Sequence, residues 1–438
     1  MAKKVIHSTI GAVLLVLCVL WVSVPVDAQS TFGSIVGVVH DTTEAVVPGA
    51  SVKIRRLEDD SIRSTTSDQN GSFEFVNLKP GNYALSTLAE GFAEFHVPSA
   101  ELTSRQTLRI DVTLGIKSQS QTVEVSDAVA VINTENAVIS DSKDNSQITQ
   151  LPLNNRATTT SPLAALSLSP NVQQDSSGNI ALGGASSAMV NFSVDGISTA
   201  NVRQNGALQD AYPSQEGISA VRVTSSNNSA EFSQVGDVTF TTKSGTSQYH
   251  GSLFEYLQND ALDADPYGFS GKAPKHFNTF GGSLGGPLGI PHLYKGKDKT
   301  FFFFDYEGNR RSTAVAQQFL VPTRDERNGN LTALGVTTPI TNINPTATAL
   351  LSYYPLPNVT GQSNYNYENF QSTPARTDGA DLRIDHTINS KQSVYGALQS
   401  QEHHRGLRQP PFAGRLRQRA QPQSAGLAYL GAHTASPE

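Results

Sequence analysis

The segment that decides the fold reads Lys299-Thr300-Phe301-Phe302-Phe303-Phe304-Asp305-Tyr306-Glu307-Gly308. Successive side chains of a β-strand point to opposite faces, so Phe302, Phe304 and Tyr306 share one face while Asp305 and Glu307 share the other. This alternation predicts a strand that lies between an apolar and a polar environment. By itself it leaves two structures open: a soluble sheet with an aromatic core, or a membrane barrel with its charged side chains in the lumen.

Other segments on both sides of this strand share its alternating pattern. They lie at 249–256, 277–287, 381–386 and 393–398. The last two are joined across a tight polar turn at 389–392, which predicts a hairpin. From residue 402 the alternation stops and Arg, Gln and Pro crowd together. We therefore expect 402–438 to be an atypical tail, either frame-shifted or disordered.

The N-terminus has the three-part layout of a secretory signal peptide. Lys3 and Lys4 give a basic start, an apolar run follows at 10–24, and the small Ala28 ends the segment. The run is short for a membrane anchor, which needs roughly 20 apolar residues. We expect residues 1–28 to be a signal peptide that is cleaved after Ala28.

Composition narrows the class of protein further. The only cysteine is Cys18, so cleavage would leave no disulfide and no thiol nucleophile. Leu17 stands before it, where a lipoprotein needs a small residue. The net charge is −6 and only 16% of residues are charged. A nucleic-acid-binding protein would instead carry clustered basic residues, so we expect no nucleic-acid partner.

Residues 33–114 have the pattern of a compact β-sandwich. Asp68-Gln69-Asn70-Gly71 predicts a hairpin turn, because Asn and Gly adopt positive φ at low cost. Phe73 and Phe75 follow on one face of the next strand. The last strand alternates strictly in its apolar residues, which are Leu108, Ile110, Val112 and Leu114.

An ordered set of motifs in this region resembles the carboxypeptidase regulatory-like domain. The motifs are Val47-Pro48-Gly49-Ala50, Asp68-x-Asn70-Gly71-x-Phe73-x-Phe75-x-Asn77-Leu78-x-Pro80-Gly81-x-Tyr83 and Glu90-Gly91-Phe92. The resemblance implies a prealbumin-like β-sandwich over 29–115, without a peptidase site. Its grouping with carbohydrate-binding-like folds is the only support for carbohydrate binding, and fold does not imply function.

Residues 116–246 are similar to the plug domain of TonB-dependent receptors of the Oar-like type. The matching motifs are Thr122-Val123-Glu124-Val125, Leu151-Pro152-Leu153-Asn154, Val194-Asp195-Gly196, Ser229-Ala230-Glu231-Phe232 and Thr242-Lys243-Ser244-Gly245-Thr246. The resemblance implies an α+β plug, in which Asp195 and Gly196 form the plug motif. Brief helices are expected at 145–151 and 163–168.

The same family resemblance favours a membrane barrel over a soluble sheet for residues 247–401. The motifs that carry it, in order, are Asn259-Asp260-Ala261-Leu262-Asp263, Phe280-Gly281-Gly282-Ser283-Leu284-Gly285-Gly286-Pro287 and the strand at 301–308. The chain is thus expected to be mostly β, ending in the first strands of an antiparallel outer-membrane barrel. The family's barrel has about 22 strands. This stretch can supply about six, so we expect a truncated or frame-shifted receptor.

The resemblance also implies a mode of action and its partners. The TonB complex would pull on a TonB box by pairing with its backbone, as strands do at a sheet edge. Thr122, Val123, Glu124 and Val125 are the candidate box, and the alternative is that they form the first strand of the plug. The sandwich would lie in the periplasm of a Gram-negative bacterium, with the barrel in the outer membrane. The transported ligand would be a siderophore, an oligosaccharide or a peptide.

Two other functions compete with the receptor. A non-transporting periplasmic or cell-surface module could bind carbohydrate or protein through the sandwich. A serine hydrolase is suggested by Gly281-x-Ser283-x-Gly285, or by Ser140-x-x-Lys143 with Ser226-Asn227-Asn228 and Lys243-Ser244-Gly245. The first motif needs a helix after the serine, but Gly286-Pro287 follows. The second lacks an apolar helix to hold Ser140. We therefore expect no catalytic residue, no metal ligand and no cofactor.

Overall fold

The computed structural model describes residues 31–116, 123–124, 135–150, 162–174, 179–201, 203, 206–208, 211–228, 234–264, 272–289, 296, 299–389, 392–405 and 423–434. The expected signal peptide lies outside these residues, as do the motifs at 151–154 and 229–232. Within the described ranges, β-strands dominate three successive units. No helix in those ranges is long and apolar enough to cross a membrane.

The first unit, called the sandwich below, consists of two packed sheets. Its strands are β1 (Gly33–Asp41), β2 (Ser51–Arg56), β3 (Ile62–Thr66), β4 (Ser72–Leu78), β5 (Gly81–Leu88), β6 (Phe95–Leu102), β7 (Thr107–Arg109), β8 (Val112–Leu114) and β9 (Val123–Glu124). One sheet has the order β4-β1-β7, with β8 also paired to β1, and the other has the order β3-β2-β5-β6-β9. Alternate apolar residues from both sheets form one core, which confirms the predicted β-sandwich.

The turn at 68–71 has the predicted local geometry but a different role. The Asp68 carboxylate accepts hydrogen bonds from the backbone N–H groups of Asn70 and Ser72, both at 2.8 Å, and Gly71 has φ +74°. However, β3 and β4 belong to different sheets. The prediction of a hairpin was therefore wrong, because tight-turn residues fix the reversal of the chain but not which strands then pair.

The middle unit, which covers described residues between 135 and 246, surrounds a second core. Its elements are β10 (Ile139–Asp144), α1 (Asn145–Gln150), β11 (Val172–Gln174), β12 (Ile180–Leu182), β13 (Val190–Val194), β14 (Ile197–Ser198), β15 (Ile218–Ser226) and β16 (Gly236–Thr242). The main sheet has the order β10-β15-β16-β13-β14. Phe192 on β13 and Phe240 on β16 are fully buried. The second expected helix is a 3-10 helix, Pro162–Leu168, rather than an α-helix.

The third unit, called the wall sheet, is an antiparallel meander of long strands. The strands are β17 (His250–Asn259), β18 (Lys275–Pro287), β19 (Thr300–Phe319), β20 (Tyr367–Asn389), β21 (Gln392–Arg405) and β22 (Gln423–Thr434). Each strand pairs with the next, so the six-stranded sheet is open at β17 and β22 among the described residues. The short helices α2 (Arg324–Arg327) and α3 (Pro345–Leu351) lie between β19 and β20.

The two faces of the wall sheet differ in polarity. Leu284, Phe304, Leu382 and Leu398 are in register across four strands, and they are 50%, 41%, 37% and 51% exposed. The adjacent row on the other face contains Ser283, Asp305, Asp381 and Gln399. Asp305 is fully buried there. This arrangement, with apolar side chains outside and polar side chains inside, is the reverse of a soluble domain and is typical of an outer-membrane barrel wall.

The strand β22 lies inside the region for which the sequence predicts a tail without strand alternation. It pairs with β21 from Gln392↔Thr434 to His403↔Gln423. Its sequence, QSAGLAYLGAHT, is rich in small residues, so the period of two is weak. The expectation that strand structure ends at 402 was therefore wrong for 423–434, because a barrel strand carries only a weak sequence signal per segment.

Candidate coupling site between the three units

A two-residue turn in the middle unit presents the side chain of Asp195 to the wall sheet. Val194 pairs with Ile197 across the turn, and Asp195 and Gly196 have φ values of +49° and +83°. Two consecutive positive φ values match the right-handed twist of a hairpin, and Asp-Gly is a preferred pair for them. The motif at 194–196 is therefore a well-defined two-residue turn between β13 and β14.

The Asp195 carboxylate is held by both the middle unit and the wall sheet. It accepts hydrogen bonds from the Thr242 backbone N–H at 2.9 Å and from the Thr242 hydroxyl at 2.6 Å. Its Oδ2 atom also lies 2.9 Å from Nη1 of Arg383 on β20. Charge-assisted hydrogen bonds of this kind are stronger than neutral ones. The turn is therefore fastened to the wall.

Arg383 occupies the centre of this cluster. Its Nε and Nη2 atoms contact the two carboxylate oxygens of Asp385 at 2.9 and 3.1 Å. The guanidinium carbon lies 4.4 Å from the ring centroid of Tyr395 on β21. The Tyr395 hydroxyl in turn donates to the Asp195 carbonyl at 3.4 Å. A buried cation needs such a full set of partners, because an unpaired charge in this position is costly.

A second contact fastens the middle unit to the wall at Ser214. The Ser214 hydroxyl donates to Oδ1 of Asp305 at 2.7 Å, and its backbone N–H donates to Oδ2 of Asp381 at 3.0 Å. The two aspartates are directly opposite each other on β19 and β20. A Cβ at Gly217 would come within 2.6 Å of Oδ2 of Asp305, so a larger residue there would displace this carboxylate.

The sandwich contacts both of the other units. Lys79 Nζ lies 3.9 Å from Asp385 of the wall sheet, and Arg105 Nη1 lies 2.6 Å from Asp237 of the middle unit. The Ser247 backbone N–H also donates to the Glu58 carbonyl at 2.8 Å. Burial lowers the pKa of the Lys79 ammonium, although the nearby Asp385 opposes this effect.

Arg222 adds a further buried link between the middle unit and the sandwich. It donates from Nη1 to the Ser104 carbonyl of the sandwich and from Nη2 to the Ser140 hydroxyl at 3.0 Å. Burial lowers its pKa to about 10, with a further contribution from the adjacent Arg105. The two arginines therefore hold the same interface while repelling each other.

A cavity of about 190 Å³ lies where the three units meet. Its walls include Arg56, Glu58, Lys79, Asp195, Arg383 and Asp385. Arg56 is paired within the sandwich, since its Nη1 atom lies 3.0 Å from Asp59. Both acidic and basic side chains line the space, so this junction has an ionic character.

The candidate TonB box is only partly described. Val123 and Glu124 form β9, which pairs in parallel with β6 of the sandwich, Phe95 opposite Val123 and His96 opposite Glu124. Thr122 and Val125 lie outside the described residues. Among the described residues, Val123 and Glu124 therefore extend a sheet of the sandwich. The two interpretations of 122–125, as the TonB box or as the first strand of the plug, stay predictions.

The serine motifs do not have the geometry of a hydrolase. Ser283 lies inside strand β18, and its hydroxyl is 2.9 Å from that of Ser252. A nucleophile elbow instead requires a sharp turn between a strand and a helix. Ser140 lies in strand β10, where its hydroxyl accepts from Arg222. In the described part of the chain, no group of three or more His, Asp or Glu side chains is placed to hold a metal ion.

The sequence indicated Asp195 but not its partners. Asp305 was predicted only as a lumen-facing charge, and Arg383 and Asp385 only as members of the alternating segment 381–386. Two opposite charges at alternate positions of one barrel strand are a usable signal, because both side chains then share the inner face. Nothing in the sequence indicated Ser214, whose contacts come from a loop.

Comparisons with known proteins agree with this architecture. Residues 34–115 match the family model described as the carboxypeptidase regulatory-like domain, and residues 241–437 match that described as the outer membrane beta barrel domain. The chain carries both domains.

The TonB-dependent transporter Oar of Myxococcus xanthus is 26% identical over 293 residues, which cover 63% of this chain and 26% of that protein. The matched part is thus about a quarter of the relative's length. Together these similarities support an outer-membrane barrel domain and relate the chain to a TonB-dependent transporter.

Similarities to solved structures are confined to small parts of the chain. A streptococcal ancillary pilin is 17% identical, with a TM-score of 0.18, over 20% of this chain and 33% of that one. A 3-chlorocatechol 1,2-dioxygenase from Rhodococcus opacus is 11% identical, with a TM-score of 0.17, over 21% of this chain and 62% of that one. Similarity at this level carries no argument about what the chain does.

Proposed function

We propose that the protein is a TonB-dependent outer-membrane receptor that couples energy from TonB to the uptake of a ligand. Residues 116–246 would be its plug, the wall sheet would be part of its barrel, and the sandwich would lie in the periplasm behind a cleaved signal peptide. The observation that carries the proposal is the ionic attachment of the middle unit to the polar face of the wall, through Asp195 and Arg383 at 2.9 Å. A plug must be held in this way against the lumen side of a barrel.

The mechanism follows from where the contacts lie. Ionic and hydrogen-bonded contacts, at Asp195–Arg383 and at Ser214, hold the middle unit to the wall. Such contacts are directional and are exchanged for water more readily than a packed apolar interface. Tension applied N-terminal to the middle unit would break them in sequence. The plug would then shift without unfolding of its core.

The coupling step is tested by the binding of TonB's purified periplasmic domain to the purified full chain. Val123→Pro removes a backbone N–H that a paired strand needs, so we expect binding to fall at least tenfold. Val123→Ala keeps that N–H and serves as the matched control, with binding close to that of the unaltered chain. Equal binding by the Pro and Ala variants would contradict the assignment of 122–125 as the coupling segment.

A further inference from the structure

The outer edge of β6 in the sandwich is an acceptor for an added strand. On one side β6 pairs with β5, through Ser86↔His96 and Thr87↔Phe95. On the other side, its pairing within the described ranges is with β9, through Phe95↔Val123 and His96↔Glu124. Without β9, the sheet would end at β6 and leave a row of backbone donors and acceptors open to another chain.

The length of this acceptor edge is limited by the sequence of β6 itself. Pro98 lies in the middle of the strand and has no N–H to donate. The pairing with β5 also shifts register here, between the pairs Tyr83↔Ala100 and Leu85↔Val97. A regular edge therefore extends only to Val97. A strand added to so short a regular edge forms few backbone hydrogen bonds, so it is released at little cost.

We propose that the β6 edge at 95–97 is a docking site for the coupling segment 122–125, from which TonB removes that segment. The inference rests on the proposed function for the identity of the segment. β6 offers a regular edge only at 95–97, whereas a partner with an uninterrupted edge offers pairing along the whole segment. Transfer of the segment from the β6 edge to TonB is therefore favourable.

The position of this dock is fixed relative to the rest of the protein. Lys79 and Arg105 of the sandwich make ion pairs with Asp385 of the wall sheet and Asp237 of the middle unit. The docked segment is thus stored next to the unit that it would pull. In this state the sandwich competes with TonB, and so it sets how much of the segment is available.

A reversible cross-link tests the dock. In the full chain with Cys18→Ser, no thiol remains, so His96→Cys and Glu124→Cys introduce the only pair. Residues in register on adjacent strands about 4.8 Å apart satisfy the geometry of a disulfide. The matched control is Glu101→Cys with Glu124→Cys. Glu101 is exposed on the same strand, where it pairs with Asn82 of β5, and it lies five positions beyond His96, out of register with Glu124.

We expect the in-register pair to form a disulfide under mild oxidation and the control pair to remain reduced. The oxidised in-register variant should bind TonB's periplasmic domain at least tenfold more weakly than the same protein after reduction. Equal cross-linking of both pairs, or unchanged TonB binding after oxidation, would overturn the proposal. If the in-register disulfide forms but the reduced protein binds no TonB, the dock is supported and the proposed coupling function is wrong.

Discussion

Arg383 and Asp195 are 188 residues apart in the chain, yet their Nη1 and Oδ2 atoms are 2.9 Å apart. One belongs to a strand of the outer-membrane barrel domain and the other to a tight turn of the middle unit. Asp385 and Tyr395 complete the surroundings of the arginine. This single side chain therefore links the wall sheet to the part of the chain proposed to move.

Removal of the charge of Arg383 should destabilise this interface strongly. In Arg383→Met, Asp195 and Asp385 lose the guanidinium that pairs with both, although Lys79 still lies 3.9 Å from Asp385, and we expect a loss of about 3–5 kcal/mol. The change is measured from the urea unfolding midpoint of the purified chain in detergent.

The matched control for this loss is Arg55→Met on the sandwich. Arg55 pairs with Asp60 at 3.4 Å, but the two side chains are 51% and 56% exposed. An exposed pair of this kind contributes less than about 1 kcal/mol. Equal losses in the two variants would show that the Arg383 cluster adds nothing beyond a surface ion pair.

Substitutions in the Asp195-Gly196 turn can separate the effect of backbone geometry from the effect of charge. Gly196→Ala places a Cβ at φ +83° and should cost about 1 kcal/mol. Gly115→Ala is its control, since no atom lies within 4 Å of a Cβ there and its φ is not in the left-handed region. Calorimetry of the purified chain measures both. Equal melting temperatures for the two variants would contradict this role of the turn.

Asp195→Asn should keep the backbone geometry of the same turn and remove its charge. Asn tolerates the positive φ, so the hairpin stays intact. The ionic contact with Arg383 is weakened because the carboxylate charge is lost. The Thr242 backbone N–H donates to the Asp195 carboxylate at 2.9 Å. We therefore expect faster hydrogen exchange of the Thr242 amide and little change at the Ile197 amide. Uniform acceleration at both amides would show that the turn had opened.

Acid should weaken the sandwich through Asp59. Burial alone would raise the pKa of this carboxyl, but Arg56 and the hydrogen bonds from Ser61 outweigh it and lower the pKa below 3.8. A carboxyl with a depressed pKa in the folded state contributes stability above its unfolded pKa of about 3.9. That stability is lost as the pH falls through the folded value. In thermal unfolding between pH 2 and 6, Asp59→Asn should therefore flatten the acid side of the curve, and an unchanged slope would refute this role.

The exposed apolar row predicts which face of the wall sheet meets lipid. Leu382→Arg places a charge in that row and should cost about 2–4 kcal/mol of insertion free energy, whereas a charge near the interface costs about 0–1 kcal/mol. Asn389→Arg, at the exposed end of the same strand, is the matched control. Recovery in the outer-membrane fraction measures both variants, and equal recovery would mean that this face does not contact lipid.

Local patterns predicted the elements well where one residue determines one geometry. The turn residues at 68–71 predicted a positive φ, which Gly71 adopts at +74°, and the alternation at 301–308 placed Asp305 on the face where it is buried. The long-range relationships were not predictable in the same way. The pairing of β9 with β6 and the contact of Ser214 with Asp305 depend on how separate units pack. No spacing in the sequence encodes that packing.

The central claim is that this chain lies in the outer membrane and is pulled by TonB through residues 122–125. The most direct measurement is disulfide capture in living cells of a Gram-negative host. The chain carries Thr122→Cys and Cys18→Ser, and TonB carries a cysteine in its sheet edge, with Val123→Pro as the paired negative control. The account predicts a TonB adduct in the outer-membrane fraction that the Pro substitution abolishes. Recovery of the chain only from the cytoplasm, or an adduct of equal yield in the Pro variant, would contradict it.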